Sequence, residues 1–284
     1  MFVKKQCNSL LWFGVLTILF LAVFSGVYYF DRNSIYLTLL MLTPATSVIL
    51  AKCITKEKFN TAFLKLNLKG NQGWYLSAYF LTPVIAFAGA ALYFLIFPAN
   101  LDLLQSKYAI ELHVSGTTEY IKNLCLMVPL AMVINPLFGI LPCLGEELAW
   151  RGYLLPKLTE RFSVQKAVIL DGIVWGLWHS PLIAMGYNYG KDHPLLGVFA
   201  MVVFCIVLAV IESALFFKTK SVWGPVVFHA SINAMDSYSA SNLLMAKEPN
   251  PFIGPNLIGI VGGIGFVVVA VILFRKMKDC VQSN

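Results

Sequence analysis

Two adjacent glutamates, an arginine, two histidines and an asparagine stand where apolar residues are the rule: Glu146, Glu147, Arg151, His179, His229 and Asn233. Glu147 and Arg151 are one helical turn apart, a spacing that lets them pair and offset part of the cost of leaving water. Glu146 is turned by about 100° from Glu147 around the same axis and faces a different environment. His229 and Asn233 are again one turn apart, with Asp236 close to the same face, and His179 follows Asp171 on nearly one side of its own segment. Three segments thus each carry polar groups along one line, as expected of helices that converge on a polar cavity. The chemistry such a set supports is hydrolysis. A carboxylate held away from water serves as a general base toward an attacking water molecule, and an imidazole orients that water or exchanges its proton. A His and Asn donor pair stabilises the charge that develops on a peptide carbonyl oxygen. Arg151 never gives up its proton and is suited to holding Glu147 in place.

Other roles exist for each group taken singly. A buried Glu and Arg pair also fits packing or gating, and a lone histidine fits a hydrogen bond between helices. Asp171 and Glu212 read as structural groups near helix ends, and His113 and His193 as exposed residues of connections. Trp175 and Trp178 read as packing beside His179, with Trp175 and Asp236 also candidates to line a substrate cavity.

The elements that must position these groups are membrane helices. Of 284 residues, 58% are hydrophobic and 12% charged, with a mean hydropathy of +0.75; an ordinary soluble domain carries roughly 25% charge. Uncharged runs cover 10–30, 33–51, 70–101, 123–145, 172–190, 193–211 and 249–274, with a shorter one at 221–235 that continues beyond Asp236. They are about as long as a bilayer core is thick and do not alternate as barrel strands would. The expectation is an all-α polytopic membrane bundle of about eight transmembrane helices, forming a single membrane-embedded domain over 1–284. Gly139, Pro142 and Gly145 read as interruptions of the fourth segment. An ionisable residue inside such a span is a functional hypothesis by default.

The net charge of +7 follows the same plan. Lys4 and Lys5, the lysines of 52–69, Lys157 to Lys166, Lys218 and Lys220, and Arg275 to Lys278 fall on every second connection. This is the positive-inside pattern, with both termini cytoplasmic and the plasma membrane as the expected location. It calls for a lipid bilayer as partner and no nucleic acid. The first run is too long for a signal-peptide core and lacks a clear cleavage site, so it reads as a retained helix. The six cysteines show neither metal-binding nor redox spacing. Residues 52–73 alternate basic and apolar positions and read as a short interfacial helix.

The residues also resemble a known family. Glu146 to Arg151, EELAWR, resembles the EExxxR motif of the CPBP family of intramembrane proteases, which includes the type II CAAX prenyl endopeptidases. Trp175 to His179, WGLWH, resembles its second motif, usually Phe-xxx-His, with Trp in the first place. His229 to Asn233, HASIN, matches its third, His-xxx-Asn. The three stand in the family order across a core of about 124–240. The resemblance implies that Glu146 and His179 activate water, that His229 and Asn233 bind the oxyanion, and that Glu147 and Arg151 support them. The implied activity is that of an intramembrane (metallo)endopeptidase acting on a membrane-associated peptide or protein, with CAAX processing the best-known case. Zn(2+) would take Glu146, His179 and His229 as ligands, although there is no H-E-x-x-H helix and a glutamate-activated water needs no metal. The alternative class is a non-catalytic membrane protein of the same fold, acting in bacteriocin-type immunity or regulation. Transport is a weaker third reading, because no inverted repeat is visible.

Overall fold

Helices fill most of the apolar runs. The computed structural model describes residues 2–236 and 238–277, with side chains from Asn8 onward. The side chains of Lys4, Lys5, Cys7, Lys278 and Cys280, which enter the charge and cysteine readings, lie outside the described residues. The principal elements are α1 (Phe2–Asp31), α2 (Ile35–Thr55), α3 (Gln72–Ile96), α4 (Thr117–Thr159), α5 (Val164–Trp178), α6 (Pro194–Thr219), α7 (Trp223–Ala234) and α8 (Ile264–Lys276). Among the described residues there is no strand.

The all-α polytopic expectation holds, and five of the eight principal helices meet the length and apolarity of a membrane span. They are Asn8–Asp31 within α1, then α2, α3, α4 and α6. The other three run for 15, 12 and 13 residues, short of the roughly 20 that a bilayer core requires. Local chemistry shortens them. Pro181 follows α5 and cannot donate a backbone hydrogen bond, so the helix stops at Trp178 instead of continuing toward Gly190. Residues 249–263 contain Pro249, Pro251, Pro255 and four glycines, and they fold as successive turns in which Ile260 N–H reaches Phe252 C=O and Val261 N–H reaches Ile253 C=O. Only Gly fits at 262, where a Cβ would come within 2.2 Å of Asn256 O. The apolar run 249–274 therefore becomes helical only from Ile264.

The fourth segment behaves in the opposite way. Despite Gly139, Pro142 and Gly145, α4 runs without a break. Helix-disrupting residues are tolerated in membrane helices where other groups satisfy the freed carbonyls. Near Pro136 the Tyr79 hydroxyl donates to Val133 C=O and ties α3 to α4. In α2, Pro44 leaves Leu40 C=O without its usual donor, and the Thr43 hydroxyl supplies one at 2.7 Å.

The packing divides into two compact units. The first comprises Met1–Trp74, Ile140–Val226 and Leu273–Asn284; the second comprises Tyr75–Gly139 and Val227–Ile272. Within the first, glycine sets the closest approaches. A Cβ at Gly145 would lie 2.6 Å from Met41 O, so α4 presses its backbone against α2 one residue before Glu146. Gly172 and Gly176 do the same for α5 on α6, where a Cβ would meet Ile206 Cα at 2.7 Å and Val202 Cα at 2.6 Å. Small residues one turn apart are how membrane helices bring their backbones together.

Residues 62–67 of the same unit hold a single 3-10 turn, Ala62–Leu64, rather than the interfacial helix that the sequence suggests. The segment ties to α6 and α7 through its backbone carbonyls and the Asn67 side chain. Phe63 C=O accepts from Val222 N–H, Leu64 C=O accepts from Trp223 Nε1, and the Asn67 amide donates to Thr219 C=O and Lys220 C=O.

In the second unit, Gly89 of α3 accommodates the carbonyl of Gly262 and Gly265 of α8 faces Ile85. Tyr120 donates to Leu243 C=O at 2.7 Å. The half of α7 in this unit is held by a Phe228 to Phe266 ring contact and by Ala230 against Gly139.

Candidate functional site

The first unit gathers six of the singled-out groups near Trp175: Glu146, Glu147, Arg151, Asp171, His179 and Glu212. Near its C-terminal end α4 widens into a π-helical turn, Trp150–Leu154, in which Leu155 N–H reaches Trp150 C=O; Pro156 follows and removes the next donor. Such turns frequently mark functional positions in membrane and soluble helices alike. Glu146 and Glu147 stand just before it and Arg151 within it, all of them buried.

Glu146 is 1% exposed, and two indoles address one of its oxygens. Trp175 Nε1 donates to Oε2 at 2.7 Å, and Trp150 Nε1 donates to the same atom at 3.4 Å. Hydrogen bonds to a charged acceptor are the strong ones, so this carboxylate is fixed in direction, with Oε1 taken by neither indole. His179 continues the chain of contacts. Its Nδ1 lies 2.9 Å from Trp175 C=O; a carbonyl only accepts, so Nδ1 carries the proton and Nε2 is left as the proton acceptor. The break before Pro181 places this half-buried imidazole at the end of α5, beside the Trp175 and Trp178 rings. Trp178 Nε1 is buried with no acceptor among the described residues.

Arg151 is the centre of a second cluster. Its guanidinium reaches Glu147 at 3.0 Å and Asp171 at 3.7 Å, forms a further ion pair with Glu212, and lies over the Trp175 ring at 4.4 Å. All four charged side chains are fully buried. Asp171 and Glu212, read from the sequence as structural groups near helix ends, lie instead within α5 and α6 and are fully buried. Both point inward, because the glycine contacts of α5 with α6 bring their acidic positions to one arginine. One guanidinium facing three carboxylates leaves a negative excess that only protons or another cation can balance in a medium of low dielectric.

A divalent ion fits that excess in part. Carboxylate oxygens of Glu147 and Glu212 approach within 4.8 Å of one another, and hard oxygen donors suit such an ion, although Arg151 already engages both groups. Glu147 and Glu212 thus approach one another in this unit, whereas the family resemblance implies Glu146 as the acidic ligand.

The second unit carries the third motif. His229 and Asn233 lie one turn apart on α7, His229 buried and Asn233 half-buried. Asp236 is exposed beyond the end of that helix, and His113 and His193 are exposed as the sequence suggests. Sequence reasoning missed Trp150, whose only signal is its one-turn offset from Glu146.

With this geometry in view, residues 122–235 match the family model described as Type II CAAX prenyl endopeptidase Rce1-like. The match takes in all three motifs. That core resembles the Rce1-like endopeptidases. A stretch of 44 residues is 54% identical to CAAX prenyl protease 2 of Methanococcus maripaludis, strain S2, covering 16% of this chain and 16% of that protein. The chain thus spans about a sixth of the length of the curated relative it matches. The family-level resemblance read from the three motifs and the family that the comparison finds are the same.

Proposed function

We propose that the chain is an intramembrane endopeptidase that hydrolyses a peptide bond of a membrane-associated protein or peptide. The observation that carries this reading is the ordering of two proton-handling groups by one residue, Trp175, which directs Glu146 through its indole and His179 through its carbonyl. Glu146 takes a proton from water as the water attacks the carbonyl carbon. His179 orients that water through Nε2, takes its second proton as the tetrahedral intermediate collapses and passes it to the leaving amine, while Glu146 gives up the first as the C–N bond breaks. Trp178 Nε1 offers a donor that water or a substrate oxygen satisfies. His229 and Asn233 act on the oxyanion, while Arg151 with Glu147, Asp171 and Glu212 keeps the α4 end in place. A divalent ion, where bound, would be held by Glu147 and Glu212 and would supply Lewis acidity.

The relative's name supports a prenylated C-terminal tail as the substrate class. The basic connections support cytoplasmic termini in a plasma membrane. The remaining helices, α5, α7 and α8, complete an eight-helix bundle, with their polar faces turned from lipid.

The test is cleavage of membrane-associated peptides, prenylated and not, by purified protein in vesicles, with products read by mass spectrometry. Glu146→Gln keeps the size and hydrogen-bonding capacity of the side chain but cannot act as base, so cleavage falls by orders of magnitude while folding is retained. Undiminished cleavage by E146Q sinks the mechanism. Chelation in the same assay separates the two roles of the acidic groups: activity that survives belongs to Glu146 and His179 alone, and activity restored by zinc places an ion in the reaction.

A further inference from the structure

A large cavity lies in the first unit away from Glu146 and His179. Its volume is about 1190 Å³, and it is bounded by the ends of α2, α4, α6 and α8, the start of α5 and the 62–67 segment. Six lysines and two glutamates line it. Glu57 is held by Lys52 at 3.5 Å and by Lys157 at 3.2 Å, which accounts for two of the lysines. The other four, Lys65, Lys218, Lys220 and Lys276, have no carboxylate in ion-pair distance among the described residues, and each is exposed. They face a floor of aromatic and aliphatic side chains that includes Phe63, Trp74, Phe216 and Leu273.

The positive-inside pattern accounts for lysines at this end of the helices. It does not account for a hollow of this size roofed by a tied segment and floored by rings. Cations around an apolar floor, where several membrane helices end, complement a molecule that is anionic at one end and hydrocarbon at the other. Basic pockets between membrane helices bind acidic lipid headgroups on the same principle.

We infer that this cavity binds an anionic phospholipid, its phosphate among Lys65, Lys218, Lys220 and Lys276 and its acyl chain against the aromatic floor. The site is separate from the proposed catalytic groups, and binding does not require the protein to be a protease.

The experiment is native mass spectrometry of the full chain released from nanodiscs of phosphatidylcholine, with and without phosphatidylglycerol. Wild-type protein retains phosphatidylglycerol in preference to phosphatidylcholine. Lys65→Gln and Lys218→Gln each lower the retained fraction about fivefold, the share expected of one basic residue near a charged lipid surface. Lys276→Gln, at a different helix end, repeats the test should either variant lose its thermal transition. Lys166→Gln is the control, since Lys166 belongs to the same basic side but stacks on Phe162 outside the cavity. Equal retention of the two lipids overturns the inference. So does an equal loss in K166Q, which assigns retention to general charge. Displacement of the lipid by millimolar inorganic phosphate overturns the lipid as occupant and leaves a free-anion site.

Discussion

Trp175 donates its indole N–H to Glu146 at 2.7 Å, while its backbone carbonyl receives the Nδ1 proton of His179 at 2.9 Å. One residue thus sets the direction of the carboxylate and the tautomer of the imidazole. Trp175→Phe keeps a ring against Arg151 and His179 but removes the indole donor. A hydrogen bond to a charged group contributes about 1.5 to 3 kcal/mol, so cleavage should fall roughly ten- to hundredfold, and the melting temperature should fall with it because a buried carboxylate loses its donor. Steady-state rates alongside thermal unfolding check this, and a W175F protein with full activity removes Trp175 from the positioning of Glu146.

Arg151→Met leaves Glu147, Asp171 and Glu212 without their shared cation. Breaking a buried pair by removing one partner costs about 3 to 5 kcal/mol, and the loss of folded protein should be severe. Removing Glu147 together with Arg151 does not cure it, because two acids remain. Folded yield in membranes should rise stepwise from R151M through R151M/E147Q to the variant that also carries E212Q. A full recovery in the first double variant contradicts the four-residue cluster.

Gly176→Val places side-chain atoms where Val202 Cα already sits, since even a Cβ would lie 2.6 Å from it. Overpacking of this kind typically costs about 1 to 3 kcal/mol or more. The α5 to α6 contact should open, lowering both the melting temperature and the coupling of Asp171 and Glu212 to Arg151. A crosslink between cysteines introduced on α5 and α6 reads the separation, and unchanged crosslinking in G176V rejects the close approach.

Glu57, in the connection after α2, gives a pH dependence outside the membrane helices. Burial opposes its ionisation most strongly, yet the hydrogen bond from Ser9 and the charges of Lys157 and Lys52 together outweigh it and hold the carboxyl below its usual range. A depressed carboxyl contributes stability above its unfolded value and loses it as pH falls through the folded one. The melting temperature of wild type should therefore exceed that of Glu57→Gln near neutral pH, and the gap should close below the ordinary carboxylate range. A gap that widens on acidification reverses the sign and rejects the argument.

The singled-out chemistry was legible because charge is scarce in this chain. Glu146, Glu147 and Arg151 stand out against uncharged neighbours, and the Glu147 to Arg151 pair follows from one-turn spacing alone. The partners from other helices were not legible. Asp171 and Glu212 meet Arg151 through backbone contacts at Gly172 and Gly176, and no periodicity in one segment records which helix another will touch. Scarcity of charge marked the membrane character correctly but not the helix lengths, because the Pro and Gly of 249–263 carry no charge and yet their backbones do not sustain a helix. The same residue types in α4 did not break it, and at Gly145 the absence of a side chain lets α2 pack directly on its backbone.

The wide turn at Trp150–Leu154 has a geometric consequence of its own. Closing over five residues where a regular turn closes over four, it holds one more residue than the helix needs, and everything after it is rotated by roughly 100°. The chain therefore carries a spare at the point where its acidic end meets the lysines that follow. Removing one residue there would relax the turn to a regular helix and swing Lys157 away from Glu57. Adding a compensating residue after Thr159 would not swing it back, because phase lost within a helix cannot be restored from a loop.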